Sequence, residues 1–428
     1  MLFALVLVII LTLVAGFYPA FVLSGFKPIA VLKNKFATTK NSILNLRQGL
    51  IGLQFSITFF ILVCAAVVVM QFNYFMHKDL GFNKDAIITV NIPRQNASIL
   101  ETFRQELLRD PHVQEISYAS GAPTATNSHY GTSFRLRGEP ESMMRAAEMK
   151  VVDIHYLSLY NLQIRTGRWL NGSDTVLSVK NGITGFVVNE WLVKTLGLKE
   201  DEAIGKEVVI NEGQAPISGV LKDFNNNPLQ DNITPCLLFY KGVDFFSEAS
   251  IQLATKENDP IDLSRTLAFV ENTWKKFFPE SIYRYNFLDD ALAKNYSIEN
   301  FLSKAFRLFS WITFFISVLG LFGLVIFIAE QRKKEIGVRK VLGATIPSII
   351  VLLSRDLVRP VILAICLASP LTWLAVHSWL NRFAYRVTVS WWLYGSADIA
   401  IVAIALVTMS LRAIKAAAAN PVKSLRSE

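Results

Sequence analysis

The sequence predicts a membrane protein, an α-helical transmembrane bundle of about five helices with an extracytoplasmic α+β domain inserted into it. Three observations lead there. Hydrophobic residues make up 52% of the 428 positions, but they are unevenly spread. Five nearly charge-free runs, at residues 2–24, 50–72, 308–329, 360–380 and 393–411, each approach the ~20 residues that cross ~30 Å of hydrocarbon as helix. Between the second and third runs lies a long stretch of mixed composition. A single soluble core does not yield five such runs gathered at the two ends of a chain.

In chain order, residues 1–24 are the first span. No basic residue precedes it and it continues as GFYPAF without a small-x-small cleavage pattern, so it reads as a retained helix and not a signal peptide. The loop at 25–49 carries Lys27, Lys33, Lys35, Lys40 and Arg47 with no acid, and 50–72 is the second span. The third span, 306–329, ends in a basic block followed by an interfacial helix, together 330–358; the block holds Arg332, Lys333, Lys334, Arg339 and Lys340 against Glu330 and Glu335. A fourth span at 359–380, a short outer loop at 381–392, a fifth span at 393–411 and a tail at 412–428 complete the chain; Arg412, Lys415, Lys423 and Arg426 of the tail face only Glu428. The net charge of +9 therefore sits beside membrane segments. That placement argues against a nucleic-acid-binding face, and the positive-inside rule puts all three basic segments in the cytoplasm and residues 73–305 outside.

The inserted domain alternates strand and helix patterns. DAIITVNI reads as a strand, and Ser98 with Glu101 is a capping box for a helix whose Ile99, Leu100, Phe103 and Leu107 share a face. VQEISYA, GFVVNE, GKEVVI, PISGVLKDF, CLLFY and SIQLAT read as further strands, WLVKTLGL as a short helix stopped by Gly197, and residues 261–277 as a helix with Leu263, Leu267, Val270 and Trp274 on one side. The pattern predicts a two-lobed domain on helical stalks. QFNYFMHKDLGF extends the second span outward to Gly81, and FLDDALAKNYSIENFLSKAFR enters the third without a Pro or Gly break. Cys64, Cys236 and Cys366 supply no disulfide framework within the domain.

The chemistry-bearing candidates are few. The sequence has no GxxxxGK[ST] phosphate loop, and His77, His112, His129, His155 and His377 lack metal-ligand spacing. Neither a catalytic centre nor a cofactor or metal site is predicted. His377 and Asp398 read as interfacial residues, and Trp379, Tyr385, Trp391, Trp392 and Tyr394 as an aromatic belt. Pro370 predicts a kink, and Gly320 with Gly323 close helix packing. The block EQRKKEIGVRKVLGAT stands apart: Glu335 and Arg339 lie one helical turn apart, Gly343 is a helix stop, and Thr345 opens a helix striped by Ile346, Ile349, Ile350, Leu353 and Leu357. Glu335 and Gly337 are not what an anchoring loop needs.

Several stretches together resemble the MacB/FtsX-type permease family of bacterial ABC transporters, in particular its long two-half members. FKPIAVLK, LRQGLIGLQFSITFFILV and KDLGFNKD carry the resemblance early in the chain; Val152-Asp153, the run from Tyr156 through Leu162 to TGRWL, GFVVNEWLVKTLGL, GVLKDFNNNPL and FLDDALAKNY carry it through the exported domain. LGLFGL, the EQRKKEIGVRKVLGAT block, SWW and AIKAAAANPVKSLR carry it to the end. The block is the most specific piece. The resemblance implies a non-enzymatic, multi-pass permease subunit of the bacterial inner membrane, with an inserted domain of the MacB periplasmic type. It implies that Glu335, Gly337, Arg339, Lys340 and Gly343 meet a cytoplasmic ABC ATPase, which uses the ATP while this chain binds none. Other implied partners are a second permease half or a homodimer, membrane lipids, and a periplasmic or outer-membrane protein. Pro28-x-x-x-Leu32-Lys33 echoes Pro421-x-x-x-Leu425-Arg426, as if the first span closed an absent first half. Export is the expected role; the alternatives are an FtsX-like regulator of a cell-wall hydrolase, or a truncated remnant.

Overall fold

The computed structural model describes residues 12–13, 36–124, 131–211, 213–254, 263–331, 338–339 and 342–418. Apart from residues 12–13, the first predicted span lies outside this set. The chain divides into a membrane unit (residues 1–65, 306–374 and 389–428) and an exported unit (residues 66–305 and 375–388).

Long helices build the membrane unit and pass out of it. Helix α1 is Phe36–His77, and Ala97–Leu107, Glu190–Thr195, Leu263–Phe277 and Leu288–Lys294 are α2 to α5 of the exported domain. Ser297–Gln331, Ile346–Leu380 and Trp391–Ala418 are α6, α7 and α8. Four stretches of these, at Gly49–His77, Ser297–Ile328, Val358–Leu380 and Trp391–Thr408, are long and apolar enough to cross a membrane. The predicted interfacial helix and fourth span form one helix, α7, with Pro360 and Pro370 inside it. Leu308, Trp311, Phe315 and Leu319 of α6 make an exposed stripe at helical spacing, the inverse of a water-soluble helix.

The exported unit has the two predicted lobes as two sheets. Strands β1 to β5 are Ile87–Asn91, Val113–Ala119, Gly131–Leu136, Arg145–Val151 and Ile164–Gly167. Strands β6 to β11 are Phe186–Asn189, Glu207–Ile210, Gly213–Leu221, Cys236–Phe239, Glu248–Leu253 and Tyr285–Phe287. A four-stranded antiparallel sheet runs β11-β1-β10-β2, and a seven-stranded mixed sheet runs β5-β8-β6-β9-β4-β3-β7. β8 pairs with β7 through residues 213–216 and with β5 and β6 beyond them, so the larger sheet curls onto itself. An isolated bridge between Ala119 and Val152 joins the sheets. The α2 face predicted from Leu100, Phe103 and Leu107 is buried against α4, where Phe103 meets Trp274, Phe277 and Phe278 edge-on at 5.0–6.0 Å between centroids.

Local readings are corrected at three places. The N-cap of α2 is Asn96, whose side chain accepts from the Ile99 N–H at 2.9 Å, and Ser98 lies inside the helix. Asn caps as well as Ser, and its position two residues earlier lengthens the helix by about half a turn. Gly81 lies beyond the end of α1; its φ of +82° makes a turn against residues 223–224, where an added Cβ would stand 3.0 Å from the Phe224 Cα. The stalk entering α6 is broken at Asn295–Tyr296 without Pro or Gly, because the Asn295 carbonyl accepts from Gln230 Nε2 at 3.1 Å and the Tyr296 hydroxyl accepts from the Leu229 N–H at 3.1 Å.

Candidate functional site

Of the five residues expected at the coupling block, Arg339 and Gly343 fall among the described residues; Glu335, Gly337 and Lys340 lie outside them. The Leu342 N–H bonds the Val338 carbonyl at 3.0 Å, the Ala344 N–H bonds the Arg339 carbonyl at 2.9 Å, and Gly343 takes φ +87°. This is the Schellman arrangement, in which a left-handed residue lets the chain satisfy the last helical carbonyls and turn away. Helix α7 begins three residues later, with the Ser348 hydroxyl bonded to the Thr345 carbonyl at 2.8 Å. Val338 and Leu342 are exposed, so this short turn presents apolar as well as basic groups.

The second region of interest is the root of the exported domain, which the sequence reading passed over. Residues 222–235, containing the Asn225-Asn226-Asn227-Pro228 run, are braced by side chains. Asn226 is fully buried and bonds Thr234 through its N–H, carbonyl and hydroxyl, and Glu148 Oε2 at 3.2 Å. Asn225 bonds the Leu80 carbonyl, accepts from the Thr124 hydroxyl, and Asn189 reaches the Thr234 carbonyl and the Cys236 N–H. A loop of this length is ordinarily mobile; here buried amides fix it and present Leu229 and Gln230 at its tip.

Two polar clusters lie deeper. Arg104 of α2 pairs with Asp153 at 2.5 Å while Asp153 also accepts from Ser117, Tyr118 N–H and His155 N–H; both partners are buried. This fastens α2 to β2 and to the segment after β4. Near the Ala119–Val152 bridge, Lys150 stands 4.0 Å from Glu148, and Glu248 carries a sealed Oε1 with no hydrogen-bond partner. Burial pushes the Glu248 carboxyl up to about 7, against the lowering pull of Lys150, the Ala122 N–H and Ser250.

The other predicted residues are distributed as follows. An added Cβ on Gly320 would stand 2.5 Å from Gln54 Oε1, whereas Gly323 has open space, so Gly320 alone is a close-approach position. Of the aromatic belt, Trp391 and Trp392 are exposed and stacked at 4.1 Å, but Trp379 packs on Phe383 and Tyr385 lies under Lys78. Asp398 of α8 is half-buried with an unpartnered Oδ1. No group of three or more His, Cys, Asp or Glu positioned for a metal occurs among the described residues.

Residues 307–421 match the FtsX-like permease C-terminal family, and residues 50–260 match the MacB-like periplasmic core domain. Over 263 residues the chain is 24% identical to the macrolide export ATP-binding/permease protein MacB of Campylobacter jejuni, across 59% of this chain and 37% of that protein's length. Among solved structures, the periplasmic region of MacB from Actinobacillus actinomycetemcomitans aligns with a TM-score of 0.35 at 12% identity, over 53% of this chain and 98% of that one. The extracellular domain of the noncanonic ABC-type transporter YknZ from Gram-positive bacteria aligns at 0.33 and 13% identity, over 47% of this chain and 97% of that one. A permease-protein domain from Porphyromonas gingivalis aligns at 0.31 and 16% identity, over 48% and 90%.

Proposed function

The chain belongs to the MacB/FtsX-type permease family of ABC transporters, and from that premise we propose that it couples a separate cytoplasmic ATPase to motion of its exported domain. The setting is the bacterial inner membrane and the service is export. The observation that carries the reading is the Gly343 turn: its Schellman cap follows Val338 and Arg339 and leads three residues on into α7, so a protein docking there meets the inner end of that long helix directly. The basic residues of the block and the exposed Val338 and Leu342 suit an acidic and apolar surface on such a partner. The stripe of Leu308, Trp311, Phe315 and Leu319 suits lipid or the helices of a second permease half or second copy.

A detergent pull-down of the intact chain and of Glu335→Lys and Gly343→Pro tests the reading. Recovery of an ABC ATPase with the intact chain, and its loss with either substitution, is the expected result. Gly343→Pro acts through the backbone, since proline holds φ near −65° where the turn has +87°. Failure of any ATPase to copurify with the intact chain removes the coupling role.

A further inference from the structure

The ten-residue connection between α7 and α8 has its backbone bonded from two sides. On one side the Ala384 N–H bonds the Gln230 carbonyl at 2.9 Å and the Tyr385 N–H bonds the Leu229 carbonyl at 3.4 Å. On the other, Gln71 of α1 donates its Nε2 to the Tyr385 carbonyl at 2.9 Å and accepts the Val387 N–H on its Oε1 at 2.9 Å. A carbonyl and an N–H two residues apart on an extended segment are the pair that a neighbouring strand would engage. One glutamine side chain here takes the strand's place.

The surroundings seal this arrangement. Gln71 has no exposed surface, and a buried amide is costly unless both its ends are bonded. Phe75, one turn further along α1, stacks on Tyr296 at 4.9 Å and meets Phe383 edge-on at 5.6 Å. Lys78 lies over the Tyr385 ring at 4.7 Å, and Arg386 bonds Asn381 across the loop. Gln230, whose carbonyl holds Ala384, also donates to Glu299 Oε1 at 3.3 Å, and the braced asparagine loop described above fixes its position. A connection that only returned the chain to the membrane would leave these backbone groups to water.

We propose that residues 381–388 are a clamp that makes the outer end of α7 part of the exported domain, with Gln71 as its positioning residue. Displacement of α7 then reaches the domain through this clamp as well as through α1 and α6. The clamp adds a third route to the two stalks, and it stands whether or not an ATPase docks at the Gly343 turn.

The test uses the full chain in lipid nanodiscs and requires no ATPase. Hydrogen exchange on the intact protein is expected to show the Ala384, Tyr385 and Val387 amides protected about as well as those of β10. Gln71→Ala is expected to release all three, and Val387→Pro, which has no amide hydrogen of its own, to release Ala384 and Tyr385, at least tenfold while β10 stays protected. In parallel, spin labels at Ser378→Cys and Ile282→Cys, both exposed, with Cys64 and Cys366 replaced by alanine, report the distance from the last turn of α7 to the rest of the exported unit. A single narrow distribution is expected for the intact clamp and a broad one for either variant. Fast exchange of residues 384–387 in the intact chain, or a distance distribution indifferent to both substitutions, overturns the proposal.

Discussion

Where α1 meets α6 in the membrane unit, a Thr58–Ser317 hydroxyl pair at 2.6 Å and the space beside Gly320 filled by Gln54 make the contact; the Ser56 hydroxyl bonded to the Ala364 carbonyl at 3.1 Å ties α1 to α7. Where α2 meets its sheet in the exported unit, a buried arginine–aspartate pair, with three further hydrogen bonds to the aspartate and one from the arginine to the Ile116 carbonyl, sits beside a cluster of four aromatic rings. The difference follows from the solvent. Lipid is as apolar as leucine, so helices gain little by hiding side chains from it and associate through small residues and single hydroxyl contacts. In water, burial drives the collapse and buried charges are tolerated when they are paired. Substitutions in the exported unit are therefore expected to cost far more than those in the membrane unit.

The largest effect is expected at Asp153. Asp153→Ala leaves Arg104 buried without its carboxylate, which should cost about 3–5 kcal/mol of exported-unit stability; chemical denaturation of the purified chain, followed through the tryptophans, measures it, and a loss below about 1 kcal/mol would remove the pair from its place in the comparison. Next is Glu248. Its carboxyl titrates near 7 in the folded protein and about 4.5 unperturbed, so the folded form holds its proton more tightly. The stability it contributes is full below about pH 4.5, falls as pH rises toward 7, and is flat above, a total on the order of 3 kcal/mol. Glu248→Gln should abolish that part of the pH dependence, which a comparison of the two unfolding profiles between pH 4.5 and 8 would reveal. Asn226→Ala, which strands Thr234 and Glu148, is expected to cost about 2–3 kcal/mol. The smallest effect belongs to the membrane unit: Thr58→Val, which removes one interhelical hydroxyl contact, should cost about 0.6 kcal/mol. A Thr58→Val loss as large as that of Asp153→Ala would break the contrast between the two units.

Legibility divides along a different line. Four spans and seven strands were readable because each is a run whose period or apolarity is carried by its own residues, as in α6 and in β1, β2 and β6, whereas β3, β4, β5 and β11, short or mixed in pattern, were not read. The two lobes followed from the number and spacing of those runs. Contacts that join distant segments were not readable. Gln71 appears in the sequence as one amide at the end of an apolar run, and nothing near it indicates that its partners lie more than 300 positions away at Tyr385 and Val387. The Asn225-Asn226-Asn227 run entered the sequence reading only as part of a family resemblance, and its bonds to Leu80, Glu148 and Thr234 depend on the completed sheet. The break at Asn295–Tyr296 was missed for the same reason, since it is imposed by Leu229 and Gln230 and not by a local helix breaker. At the coupling block, Gly343 was legible because a left-handed cap is a local demand.

The two prolines of α7 have a mechanical consequence. Each lacks the N–H that would bond the carbonyl four residues back, so the helix is softened near Pro360 and again near Pro370. At about 100° per residue, their ten-residue separation places the two soft points roughly 80° apart around the axis. Bends about two such differently oriented hinges lie in different planes, and together they compound into torsion. A sideways pull at the inner end of α7 would thus arrive at its outer end partly as a turn, like the motion of a key.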